Sequence, residues 1–117
     1  MEPAPEIAAA EAAEEIAGGA LVVDVREQVE WDAGHISGAV LIPLGELGTR
    51  VDELPRDRRM LIVCRTGSRS GYAADALHGD GYDVANLRGG LFSWAAGSSG
   101  CEPAAQEKSP PRRFAAS

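Results

Sequence analysis

The segment whose residue types and spacing could carry chemistry is Leu61-Ile62-Val63-Cys64-Arg65-Thr66-Gly67-Ser68-Arg69-Ser70. A cysteine ends an apolar, β-branched run there, and a short polar loop leads on toward a helix. Three effects converge on the sulfur. The loop N–H groups and the N-terminus of the following helix both favour negative charge at the place where the side chain lies. Arg65 and Arg69 add two cations. Gly67 relieves a tight bend, and Thr66, Ser68 and Ser70 offer hydroxyls to an anion. A free thiol with a pKa of about 8.5 is only a few per cent thiolate at neutral pH, whereas a pKa of roughly 6.5 makes it mostly thiolate, a difference of about 2.7 kcal/mol. Cys64 is therefore a candidate nucleophile. The same residues also fit a buried strand cysteine ahead of a capped helix.

The elements that must position this loop follow from the hydrophobic pattern. Ala20 to Val25, Ala39 to Ile42, Leu61 to Cys64 and Val84 to Leu87 are short apolar runs, the mark of strands buried on both faces. Helical stretches alternate with them. They are an alanine- and glutamate-rich N-terminal helix over 6–17 stopped at Gly18-Gly19, a brief helix over 27–33, helical spacing from Leu44 to Leu54, Tyr72 to Leu77, and Leu91 to Ala96. Gly34 to Gly38 reads as a loop. The expected architecture is α/β, a three-layer open parallel sheet with helices on both faces, which binds ligands outside the carboxyl ends of the strands. Residues 1–97 form one domain with the loop at 64–70, and 98–117, small, polar and proline-containing, form a flexible C-terminal tail.

Composition narrows the function classes. A chain of 117 residues, 44% apolar and 25% charged, is one small domain able to fold on a single core. The net charge of −7 argues against nucleic-acid binding, which depends on clustered cations. Between Arg56 and Arg69, however, five arginines stand against Asp57 alone. A positive spot on an acidic protein suits a small anionic ligand, and charge alone equally admits a solvated arginine cluster. Cys64 and Cys101 are too few for a disulfide framework and have no partners at zinc spacing, so the expectation is a reducing, cytoplasmic setting with no metal. No apolar run is long enough to span a bilayer, and the acidic N-terminus is unlike a signal peptide. His35 and His78 read as structural histidines, and Trp31 and Trp94 as core anchors.

Four separated stretches resemble the rhodanese-like sulfurtransferases, specifically their small single-domain members. They are Asp24-Val25-Arg26-Glu27, Gly34-His35-Ile36-Ser37-Gly38-Ala39 running to Ile42-Pro43, the Cys64 to Ser70 loop, and Leu87-Arg88-Gly89-Gly90 with Trp94 beyond. The resemblance covers about residues 6–97. It implies sulfur-atom transfer in two halves: Cys64 takes the outer sulfur of a small anionic donor such as thiosulfate, holds it as a persulfide, and passes it to a thiol, to cyanide or to a protein acceptor. N–H groups from Arg65 to Ser70 would hold the persulfide anion, Arg65 and Arg69 would orient the donor, and Asp24 and Arg26 would support the loop as an ion pair. No cofactor is implied. Tandem-domain thiosulfate enzymes carry a further substrate arginine just after the Asp24 motif, where this chain reads Glu27-Gln28-Val29-Glu30, and this leaves the donor open.

Loop length separates this chain from its chemical relatives. Four residues lie between Cys64 and Arg69, one fewer than in the cell-cycle tyrosine phosphatases. A longer ring of amides encloses a phosphate or arsenate, whereas the shorter one suits a single sulfur. Sulfur transfer therefore ranks first, ahead of a sulfur-carrier or regulatory module without turnover and of arsenate or phosphate chemistry. Gly89-Gly90 resembles a phosphate cradle only weakly, and Cys101 reads as an incidental thiol that could resolve a persulfide as a disulfide.

Overall fold

Leu21–Asp24 and Met60–Val63 are buried along their whole length and run side by side in parallel, with Asp24 opposite Val63. They are the middle of a sheet in a computed structural model that describes residues 3–97 and 106–107. In chain order the described elements are β1 (Glu6–Ile7), α1 (Ala9–Ala17), β2 (Leu21–Asp24), α2 (Gln28–Asp32), β3 (His35–Ile36), β4 (Val40–Leu41), α3 (Leu47–Arg50), β5 (Met60–Val63), α4 (Ser68–Gly79), β6 (Val84–Leu87), α5 (Gly90–Gly97) and β7 (Gln106–Glu107). Single 3-10 turns, Leu44–Glu46 and Val51–Glu53, flank α3.

Five strands form a wholly parallel sheet in the order β1-β6-β5-β2-β4. Side chains of successive residues point to opposite faces, and each face has its own core. Leu21, Val23, Val25, Met60, Ile62, Cys64 and Val84 meet α3 and α4 through Leu47, Ala73, Ala74 and Leu77. On the other face Val22, Leu61, Val63, Ala85 and Leu87 meet α1, α2 and α5 through Ala12, Trp31, Leu91 and Trp94. Each fully buried Leu, Ile or Val adds about 1.5–3 kcal/mol, so the two faces together hold the sheet between its helices. This is the three-layer α/β arrangement expected from the uninterrupted apolar runs. Strand order reverses between β2 and β5: β2 leads outward to β4, while β5 returns on the other side and leads to β6. A crevice opens there at the carboxyl ends of the strands.

Several local expectations differ from the structure. The N-terminal helix expected over 6–17 begins only at Ala9, because Glu6–Ile7 is an edge strand on β6. Asn86 N–H donates to Pro5 O and Arg88 N–H to Ile7 O, both at 2.9 Å, and prolines at 3 and 5 favour the extended entry. His35–Ile36, read as loop, pairs antiparallel with Gln106–Glu107. The helix expected from Tyr72 starts earlier, at Ser68, directly after the loop. The expected flexible tail at 98–117 lies outside the described residues apart from Gln106–Glu107. Among the described residues no helix is long and apolar enough to cross a membrane.

Candidate active site

Cys64 follows the last residue of β5 and is fully buried. The chain turns sharply after it. Gly67 has φ +101, a left-handed conformation that glycine adopts without strain, and it caps the N-terminus of α4. The turn aims donors at the sulfur: Gly67 N–H lies 3.1 Å from Sγ, Ser70 N–H 3.3 Å and Ser70 Oγ 3.3 Å. Burial pushes the Cys64 thiol up. The Ser70 hydroxyl and the N–H groups of Ser70, Gly67 and Thr66 pull it down more strongly, so the thiol ionises below its ordinary value. Among the influences that lower the thiol's pKa, hydrogen-bond donors lead, ahead of the two arginine charges expected from the sequence to act alongside the amides.

Arg65, Thr66 and Ser68 are exposed around the buried cysteine. Arg69 is half-buried and committed elsewhere. Its guanidinium makes a two-point ion pair with Glu30 of α2, at 2.8 and 2.9 Å. Glu30 is thereby lowered to about 2, chiefly by the hydrogen bond from Arg69, although partial burial opposes it. The same carboxylate accepts from the Glu27 N–H at 2.9 Å. Arg69 is raised above its usual value by Glu30 first, against desolvation, with smaller contributions from Cys64 and Asp24.

Asp24 and Arg26, at the end of β2, form a buried pair: Nε to Oδ1 at 2.9 Å and Nη2 to Oδ2 at 2.8 Å. Arg26 Nη2 also donates to Gly34 O at 2.9 Å, so the pair braces the turn before β3. In that turn His35 stacks on Trp31 with ring centroids 3.5 Å apart, and its Nδ1 lies 3.1 Å from Trp31 O. A carbonyl only accepts, so Nδ1 carries the hydrogen. Arg26, Glu30, Ala33, Gly34, Arg65, Leu91 and Phe92 line a cavity of about 360 Å3 between α2, the loop and α5.

Gly89-Gly90 clamps backbone to backbone. Leu91 N–H donates to Cys64 O at 2.8 Å and Phe92 N–H to Arg65 O at 2.9 Å. A Cβ on Gly90 would lie 2.5 Å from both carbonyl oxygens. The first turn of α5 thus seats the start of the cysteine loop. Sequence reading also missed Glu30 and Asn86 as partners. Glu30 stands at capping-box spacing after Glu27, which signals a helix start without indicating Arg69. Asn86 is a polar residue inside the buried strand β6, and its amide bonds Ser70 and Gly67. Among the described residues no group of three or more His, Cys, Asp or Glu is placed to hold a metal ion.

The family profile described as "Rhodanese-like domain" matches residues 8–97. A protein of Mycobacterium tuberculosis named "Probable adenylyltransferase/sulfurtransferase MoeZ" is 44% identical over 77 residues, which are 63% of this chain and 20% of that protein. The chain therefore corresponds to about a fifth of the length of that relative. A sulfurtransferase of Allochromatium vinosum is 42% identical over 76 residues, 64% of this chain and 71% of that protein. Among solved structures, a rhodanese-related protein from Thermoplasma volcanium superposes with a TM-score of 0.79 at 30% identity, covering 90% of this chain and 99% of that one.

Proposed function

The chain belongs to the rhodanese-like domain family, and from that premise we propose that it is a sulfurtransferase that moves a sulfane sulfur through a persulfide on Cys64. The observation that carries this reading is the convergence of the Gly67 and Ser70 N–H groups on Sγ, 3.1 and 3.3 Å away, which favours an anionic sulfur in a buried site. The names of the relatives, both sulfurtransferases, agree with it.

In the first half-reaction the Cys64 thiolate attacks the outer sulfur of thiosulfate or another persulfide-like donor. A sulfur–sulfur bond forms at Sγ, the donor's own sulfur–sulfur bond breaks, and the rest of the donor, sulfite from thiosulfate or a thiolate from a persulfide, leaves with the bonding electron pair. In the second, a thiolate or cyanide attacks the outer sulfur and the Cys64 thiolate departs, ready for another cycle. The loop N–H groups hold the negative charge at each stage without needing a general base. Cys64 has no exposed surface, and the exposed Arg65, Thr66 and Ser68 stand around it, so a donor reaches Sγ past these side chains. Arg65, exposed beside the cavity, attracts the anionic donor; Arg26, neutralised by Asp24, braces the turn before β3, and Arg69, neutralised by Glu30, holds α4 against α2.

Intact mass after thiosulfate treatment tests the proposal. The expected result is one added sulfur atom, removed by cyanide or a reductant, retained in Cys101→Ser and absent in Cys64→Ser. An adduct that persists in Cys64→Ser overturns it. Loading without catalytic turnover in a thiosulfate–cyanide assay would leave a carrier that serves one protein acceptor.

A further inference from the structure

Asn86 interrupts the apolar run of β6, and its buried side chain bonds the cysteine loop. Its Nδ2 donates to Gly67 O and to Glu6 Oε2, each 3.1 Å away, while its Oδ1 lies 2.6 Å from Ser70 Oγ. Gly71 makes room for it, since a Cβ there would stand 3.2 Å from Nδ2. A backbone carbonyl and a carboxylate oxygen serve as the acceptors, so the end of the amide facing them is the nitrogen and the end facing Ser70 is the oxygen. That oxygen only accepts. The hydrogen in the 2.6 Å contact is therefore Ser70's own.

A serine hydroxyl has one hydrogen, and two acceptors want it. While Cys64 is a thiol, the hydrogen points to Asn86 and Ser70 Oγ presents a lone pair to the S–H, 3.3 Å away. Once Cys64 is a thiolate, the hydroxyl supports it only by turning away from Asn86 and giving up the shorter bond. We propose that Asn86 is a positioning residue that competes with Cys64 for the Ser70 hydroxyl hydrogen and thereby sets how readily the thiolate forms. Several charged groups surround this cluster: Glu6 of β1 with Arg88 at 3.9 Å, Asp24 of β2 with Arg26 just beyond it, and Glu30 of α2. Arg65 and Arg69 belong to the loop and α4, as does Asp75, which accepts the Ala4 N–H. Among the described residues, none of them bonds the Ser70 hydroxyl, which leaves Asn86 and Cys64 as its two claimants.

The test needs no sulfur transfer, so it is informative whether or not the persulfide forms. In the full chain carrying Cys101→Ser, the ionisation midpoint of Cys64 is followed by ultraviolet thiolate absorbance and by the pH dependence of iodoacetamide labelling. Asn86→Leu is expected to lower the midpoint by about half a unit, and Ser70→Ala to raise it. In the Ser70→Ala background, Asn86→Leu no longer lowers it. A midpoint that Asn86→Leu raises or leaves alone, or shifts equally in both backgrounds, overturns the proposal and reduces the amide to a holder of Gly67. A readout that needs no change at 86 comes from the NMR shift of the Asn86 side-chain carbonyl, which is expected to titrate with Cys64 and to lose that dependence in Ser70→Ala. A carbonyl insensitive to Cys64 ionisation also overturns it.

Discussion

Arg69 and Glu30, 39 residues apart in the chain, meet in a two-point ion pair across the opening between α4 and α2. The pair joins helices on opposite faces of the sheet, and it consumes the cation nearest in sequence to the end of the cysteine loop. What remains at the cavity is Arg65, exposed, and Arg26, buried against Asp24.

The first consequence is a dependence on acid. Glu30 falls from an ordinary 4.5 to about 2 in the folded protein, so its contribution to stability is complete above about 4.5 and is lost as the pH drops through about 2. Both partners are partly exposed, which limits the contribution to about 1 kcal/mol or less. Thermal midpoints measured across that window should fall more steeply for the unmodified chain than for Glu30→Gln. Parallel curves would show that the pair adds nothing.

Donor recognition should separate the two loop arginines. Arg65→Ala is expected to raise KM for thiosulfate about tenfold or more, the loss of one charge-assisted hydrogen bond, while the Cys64 ionisation midpoint hardly moves. Steady-state kinetics alongside a labelling profile decide this. A fall in kcat at constant KM would place Arg65 in the chemical step instead of in binding.

Gly90→Ala tests the seat beneath the loop. Its Cβ would lie 2.5 Å from the Cys64 and Arg65 carbonyl oxygens, at a φ of +63. Strain on the order of 1–3 kcal/mol, or roughly 5–15 °C in thermal midpoint for a domain of this size, is expected together with reduced sulfur loading. Gly45→Ala, with nothing within 4 Å of the new atom, should leave both unchanged and serves as the control.

Breaking the buried pair should cost more than removing it. Asp24→Asn leaves the Arg26 guanidinium buried without its counter-charge, a loss of about 3–5 kcal/mol, whereas Asp24→Val with Arg26→Met should recover much of the stability. Denaturant midpoints of the three proteins provide the comparison. A double variant no more stable than Asp24→Asn would mean that the Arg26 bond to Gly34 O dominates.

The runs Leu21 to Val25 and Leu61 to Cys64 were legible because strands buried on both faces must be apolar at every position, and that composition is local. The cysteine at the end of such a run, followed by a polar, glycine-containing loop, was legible for the same reason: a strand, a turn and a helix start within ten residues. Glu6–Ile7 was not. Two residues between prolines and an alanine-rich helix carry no strand signal, and only hydrogen bonds to β6, 80 residues away, make them one. The sequence by itself determined the layers, the place of Cys64 at the end of a buried strand and the polar loop whose amides face it. The tertiary structure decided the partners: Glu30 for Arg69, Asn86 for the Ser70 hydroxyl, and the turn at Gly90 beneath Cys64 and Arg65. An ion pair or a shared hydrogen depends on which elements the sheet order brings together, and no local pattern of residues records that order.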